Sequence, residues 1–143
     1  MLCTPSPDFF QLCALHARCF EHGWSAEELE SLFQVAGTFA FIDPQQKGFA
    51  ILRHIAGEAE IITFGVVPGS RRQGTGNALL GHILEFARKL EAESLFLEVR
   101  ESNEAAMRLY QKAGFSVISR RKDYYRTPDN GYENAIIMRK AIF

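Results

Sequence analysis

The stretch from Glu60 to Leu90 constrains this chain more than any other. EIITFGVV (Glu60 to Val67) is β-branched and aromatic and stops at Pro68, which reads as a strand. RRQGTG (Arg71 to Gly76) follows. After it Leu79, Leu80, Ile83, Leu84, Ala87 and Leu90 recur at helical spacing. Strand, glycine-bearing loop and amphipathic helix are thus joined in one short segment. A helix with one apolar stripe must bury it against another layer, so the segment calls for an α/β arrangement.

The flanking sequence fills in that arrangement. Asp8 caps a helix through about Phe20, with Leu12, Leu15 and Cys19 on one face. Ser25 and Glu28 form a capping box for a second helix, with Leu29, Leu32, Phe33 and Ala36 as its stripe and Gly37 as its stop. Thr38 to Asp43 and Phe49 to His54 are strand-like, and their short connections to Glu60–Val67 predict an antiparallel meander. Ser94 to Val99 is apolar on both faces and reads as a central strand. Ser102 caps another helix with the stripe Ala106, Leu109, Tyr110, Ala113, closed by Gly114-Phe115 as a Schellman cap. Phe115 to Lys122 and Tyr132 to Arg139 flank the turn Pro128-Asp129-Asn130-Gly131. The expected order is ααβββαβαββ, an α/β (α+β type) fold with a mixed, largely antiparallel sheet.

Composition narrows the class. The 143 residues, 47% hydrophobic with 12 Phe, suit one domain spanning residues 1–143. A net charge of −1 points neither to nucleic acid nor to an anionic membrane. Cys3, Cys13 and Cys19 form no Cys-x-x-Cys pair and have no histidine at metal-ligand spacing, so reduced thiols in a cytoplasmic protein and no metal are expected. No apolar run approaches a membrane span, and MLCTPSPDFF lacks the pattern of a secretory signal.

The loop is then the feature to explain. A Walker A loop fails because Thr75 stands where the lysine must be. A dinucleotide fingerprint fits poorly because Leu79 replaces the third glycine and the preceding strands form a meander. A diphosphate held by backbone N–H groups at a helix N-terminus, with an arginine in reach, asks for nothing the loop lacks. The helix dipole contributes only about 0.3–1 kcal/mol when exposed and ~2 when partly buried. Micromolar affinity needs about 8 kcal/mol, so the ligand must be gripped elsewhere too. Gly65, inside a strand, marks a bulge or a close backbone approach. A ligand with an amide-bearing arm, as in coenzyme A, could pair with that strand and reach the loop with its phosphates.

RRQGTG resembles the Arg/Gln-x-x-Gly-x-Gly/Ala motif of the GNAT N-acetyltransferases. LEVRESNEAAMRLYQKAGF, RRKDYY and ENAIIM are similar to the bacterial RimI-type ribosomal-protein-alanine N-acetyltransferases, a likeness running from about Glu60 to Met138, with Trp24-Ser25 also matching. The resemblance implies acetyl-CoA as co-substrate. It implies that Phe64, Gly65 and Val66 line the acetyl-pantetheine arm. Arg72, Gln73, Gly74, Thr75, Gly76 and Asn77 would hold the pyrophosphate, and Asn103 would contact the cofactor. Glu98 would be the general base, Tyr110 the general acid, and Tyr124 and Tyr125 would border the peptide groove. The implied partner is a protein N-terminus, an N-terminal alanine of a ribosomal protein, and the implied state a monomer or weak dimer in the cytoplasm. Val67 departs from an Asp common in the family, Thr63-Phe64 from an Asn-Ile pair, and the short N-terminus leaves a first strand brief or missing.

The chemistry is compatible with these residues. An α-amino group has a pKa near ~7.7–8.0 against ~10.4 for lysine, so a modest base suffices for an N-terminal acceptor. From the residues alone, Glu98 is either that base or the partner of Arg100. Tyr110 is either a core aromatic or a donor to the departing thiolate. A thiol near pKa ~8.5 is a stronger acid than tyrosine at ~10, so hydrogen-bond donation is the minimum role. A backbone N–H beside Gly65 could stabilise the oxyanion. Arg120, Arg121 and Lys122 form either a solvated strand end or a rim for a peptide. Two other functions remain open: acetylation of a small-molecule amine or of protein lysine, and a non-catalytic CoA-binding module.

Overall fold

Local hydrogen bonding starts both N-terminal helices where their capping residues predict. The structure, a computed structural model, describes residues 1–142. Asp8 accepts from the backbone N–H groups of Phe10 and Gln11 at the head of α1 (Phe9–Cys19). Ser25 and Glu28 close a reciprocal capping box at the head of α2 (Ala26–Leu32). The second helix ends sooner than its stripe suggests, with Phe33 as C-cap. Gly37 instead shapes the entry to the next strand. Its φ is +88° and its carbonyl accepts from the His54 N–H at 2.8 Å, while an added Cβ would lie 2.2 Å from the His54 carbonyl oxygen.

The strands are β1 (Leu2–Thr4), β2 (Thr38–Ile42), β3 (Gly48–Ile55), β4 (Glu58–Val66), β5 (Ser94–Arg100), β6 (Ser116–Arg126) and β7 (Tyr132–Ala141), with α3 (Thr75–Lys89) and α4 (Glu104–Lys112) between them. They form one sheet in the order β1-β2-β3-β4-β5-β7-β6. Among the described residues only β4 and β5 pair in parallel, because α3 carries the chain back across the sheet between them. The expected order therefore holds from α1 onward, with β1 added in front. Three residues are too few to show an alternation, so β1 is visible only through its pairing, Leu2↔Ile42 to Thr4↔Ala40.

Two apolar layers sandwich the sheet. Leu79, Leu80, Ile83 and Ala87 of α3 and Tyr110 of α4 pack on Leu52, Ile61, Leu95, Leu97, Val99, Ile136 and Met138. On the opposite face Leu12 and Leu15 of α1 and Leu29 of α2 pack on Ala40, Ile42, Phe49, Ile51 and Val67. Each fully buried aliphatic side chain contributes about 1.5–3 kcal/mol relative to exposure, so these layers carry the fold. The second layer covers β2, β3 and one end of β4, leaving the same face of β5 and β7 without a helix above it.

One local expectation is corrected here, and one open alternative is decided. The N-cap of α4 is Asn103, whose Oδ1 accepts from the Ala106 N–H, rather than Ser102. The Schellman closure is as read: Phe115 N–H donates to the Tyr110 carbonyl and Gly114 N–H to Gln111, with Gly114 at φ +100°. The bulge in β4 lies at Ile62, where the β3 register passes from Leu52↔Ile61 to Ile51↔Thr63. Gly65 pairs regularly with Phe49. The close approach there comes from packing, since an added Cβ would meet Phe49 Cε1 at 2.8 Å and Cys19 Cβ at 2.9 Å.

Candidate active site

The bulge at Ile62 has a functional consequence. β4 and β5 lie side by side only from Glu58↔Ser94 to Ile61↔Leu97. Past that point β4 continues to Val66 with β3 as its neighbour. The edge of Phe64, Gly65 and Val66 that would meet β5 has no strand beside it. Main-chain donors and acceptors along such an edge need a partner, and an amide-bearing arm supplies one. Part of that need is met internally: the Val66 carbonyl accepts from Arg71 Nε at 3.1 Å.

The loop between β4 and α3 leaves the head of α3 without a side-chain cap. A single 3-10 turn, Pro68–Ser70, leads into it. Gly74 is the N-cap of α3 at φ +81°, and no side chain caps the helix. An added Cβ on Gly74 would touch nothing, so its glycine serves the backbone conformation. Gly76 faces inward, with Leu109 Cδ2 3.4 Å from an added Cβ. The amides of Thr75, Gly76 and Asn77 occupy the first turn, where N–H groups lack intrahelical acceptors. Arg72 is exposed at φ +62°, and Gln73 donates to the Gly69 carbonyl at 3.3 Å. A groove of about 310 Å³ runs beside the loop, bordered by Asp43, Gln45, Lys47, Gln73, Gly74 and Thr75. Lys47 was not singled out from sequence; its place in the turn Pro44-Gln45-Gln46-Lys47-Gly48 signalled only a loop.

Glu98 is the first β5 residue beyond the parallel pairing. Its Oε2 accepts from the Tyr125 hydroxyl at 2.8 Å, and Oε1 faces Arg121 Nη1 at 3.4 Å. The alternative pairing with Arg100 does not occur. Arg100 bonds Glu133 at 2.8 Å and lies 4.2 Å over the Tyr125 ring. Burial, then the hydrogen bond to Glu98 and its charge, push the Tyr125 phenol well above its ordinary value. Tyr124 meets Tyr125 edge-on at 5.0 Å and carries the Arg121 guanidinium at 3.9 Å from its centroid. Arg120 pairs with Glu101 at 2.6 Å. Arg120 and Arg121 are thus each held in a specific ion pair.

Tyr110 approaches from α4 on the other face. Only 5% of it is exposed, its ring packs edge-on against Phe64 at 5.9 Å and Phe115 at 5.8 Å, and burial raises its proton affinity well above that of a free phenol. Through Phe64 it touches the unpaired part of β4. Asn103 sits at the head of α4, where its Oδ1 is committed to the cap. Glu60, which sequence reading passed over, shares the Glu98 face. Burial raises its proton affinity, the Arg53 charge opposes this, and the Glu98 charge adds to it. Its alternation with Glu58 in β4 was the available signal. Among the described residues no cluster of three or more His, Cys, Asp or Glu could hold a metal ion, and no helix is long and apolar enough to cross a membrane.

A split parallel pair, a helix head without a side-chain cap and a carboxylate beside the split are the three features at this end of β4 and β5. Residues 9–115 match the Acetyltransferase (GNAT) family, and the chain belongs to it. It is 44% identical over 90 residues to the [ribosomal protein bS18]-alanine N-acetyltransferase of Escherichia coli K12, a match covering 63% of this chain and 60% of that protein. The Haemophilus influenzae protein of the same name is 40% identical over 91 residues, 64% of this chain and 62% of that one. The chain thus spans about 60% of the length of the curated relatives it matches. The crystal structure of the Escherichia coli ribosomal-protein-S18-alanine N-acetyltransferase superposes with a TM-score of 0.87 at 32% identity, covering 99% of this chain and 93% of that one.

Proposed function

We propose that this chain is an acetyl-CoA-dependent N-alpha-acetyltransferase that modifies the N-terminal alanine of a ribosomal protein in the cytoplasm. The observation that carries the reading is Glu98, placed at the opening of β4 from β5 and bordered by Tyr124 and Tyr125. The names of the relatives support the acceptor. Acetyl-CoA supplies the activated acetyl group. Arg72 to Asn77 hold its pyrophosphate, the free edge of Phe64 to Val66 pairs with its pantetheine arm, and Asn103 borders it at the head of α4.

Glu98 accepts the proton of the acceptor amine. An α-ammonium near pKa ~7.7–8.0 is neutral often enough at neutral pH for a carboxylate to complete the task, whereas a lysine at ~10.4 is not. A backbone N–H on the free edge of β4 would meet the developing oxyanion. Tyr110 donates a hydrogen bond toward the departing sulfur. Its raised proton affinity argues for that role over full proton transfer, since a free thiol near ~8.5 is already the stronger acid. Acetyl passes directly to the amine, with no acyl-enzyme.

The test is release of the CoA thiol with a panel of acceptors: peptides with a free N-terminal alanine, the same peptides N-blocked, free lysine and polyamines. Turnover is expected on the free N-termini alone. Equal turnover on polyamines or on blocked peptides through lysine would replace the proposed acceptor. Saturable binding of CoA without turnover on any amine would leave a binding module.

A further inference from the structure

Both oxygens of the Glu98 carboxylate are engaged, one by Tyr125 and one by Arg121. Each oxygen keeps a second lone pair, but a cation already beside it lowers its basicity, so proton uptake from an acceptor is favoured where that cation gives way. The two partners are not equally held. Tyr125 is half-buried, bonds at 2.8 Å, and is fixed from behind by Arg100, itself paired with Glu133. Arg121 stands 3.4 Å from its oxygen, and 53% of its side chain is exposed. A long, solvated ion pair contributes little and yields easily. Arg121 is the last residue of its paired run in β6, opposite Ala135, and the β6–β7 register shifts directly after it.

The place that Arg121 fills is itself informative. It has a carboxylate oxygen on one side and the face of Tyr124 at 3.9 Å on another. Those two features attract any compact cation, and an alkylammonium satisfies both. We propose that Arg121 is a displaceable positioning residue, its guanidinium filling the spot beside Glu98 Oε1 and over Tyr124 that the acceptor's α-ammonium takes on binding. The inference rests on the reading of Glu98 as proton acceptor. It assigns the amine to the Oε1 side, with Tyr125 staying on Oε2 to orient the carboxylate. After the exchange the N–H proton moves to Oε1, and the guanidinium turns to solvent.

The experiment is calorimetry on the full chain with bound CoA, which supports binding without turnover. The ligands are a hexapeptide with a free N-terminal alanine and its N-acetylated twin. Arg121→Met keeps the stem over Tyr124 and removes the charge. It is expected to tighten the free-amine peptide about two- to fivefold, the range an exposed ion pair commands, and to leave the acetylated twin unchanged. Arg121→Lys should restore the original affinity. In a Glu98→Gln background Arg121→Met should no longer tighten binding. Unchanged or weaker binding of the free-amine peptide, or equal tightening of both peptides, overturns the proposal. Arg121→Gln replaces the Met variant if that fails to fold. Turnover of Glu98→Gln, measured separately, tests the base itself. Normal turnover there would remove the reading of Glu98 while the affinity comparison still decides whether Arg121 competes with the ammonium.

Discussion

On the face of β5 that α3 and α4 cover, Leu95, Leu97 and Val99 are 0%, 2% and 6% exposed. On the opposite face Phe96 and Glu98 are only partly buried, with 26% of the Glu98 side chain exposed. The strand is one run of seven residues, Ser94–Arg100, and its alternation sends neighbours to two different environments. The difference arises because α1 and α2 pack over β2, β3 and the end of β4 only. One face is therefore committed to stability. The other keeps a carboxylate, two tyrosines and their arginines in reach of a second molecule. A glutamate in a strand flanked by apolar residues is tolerable only because one side of the sheet is left open.

Adjacent substitutions should separate the two faces. Leu97→Ala is expected to reduce stability by about 2–5 kcal/mol in urea titrations, as a cavity in a close-packed layer does. A loss as small as that of an exposed residue would erase the contrast. Glu98→Gln, one residue on, should change the unfolding midpoint little while lowering kcat/KM about a hundredfold or more in the thiol-release assay. The loss should be steepest at low pH, where fewer acceptor amines are already neutral. Gly65→Ala sharpens the comparison at β4, because its Cβ would strike Phe49 and Cys19 on the α1 side. A loss of about 1–3 kcal/mol is expected from such overpacking.

The smallest effect is a pH dependence in the α1 layer. His16 is 3% exposed, stacks on Trp24 at 4.8 Å, and accepts from the Trp24 N–H through Nδ1 at 3.2 Å. Burial lowers its proton affinity, and the Glu28 charge works against that. The unfolded chain, with an ordinary imidazole near ~6.5, takes up the proton first as pH falls. Stability is thus complete above about pH 6.5 and declines below it. The single tryptophan reports this directly: the urea midpoint from Trp24 fluorescence should be lower at about pH 5 than at about pH 7.5, and a His16→Gln variant should lose that difference.

What could be read from the residues was what short-range chemistry decides. Asp8, Ser25-Glu28 and Gly114-Phe115 act within one helical turn, and all three behave as read. RRQGTG forms its loop from its own glycines and the helix that follows. What the residues left open, and the one cap misread, share a cause. β1 exists only because β2 pairs with it. The bulge at Ile62, not Gly65, is a matter of register with β3. Asn103 and Ser102 both suit an N-cap, and the turn geometry chose Asn103. Glu98 took Arg121, 23 positions away, over its neighbour Arg100.

By itself the amino-acid sequence determined the caps at Asp8, Ser25-Glu28 and Gly114-Phe115, the strand–loop–helix unit at Glu60 to Leu90 and the motifs that mark the GNAT family. Those features depend on contacts a few residues apart and survive any arrangement of the rest. Tertiary structure decided which face of β5 stays open, where β4 leaves it, and which arginine stands against Glu98. The strand order β5-β7-β6 places Arg121 within reach across an intervening strand, and no spacing along the chain encodes that distance.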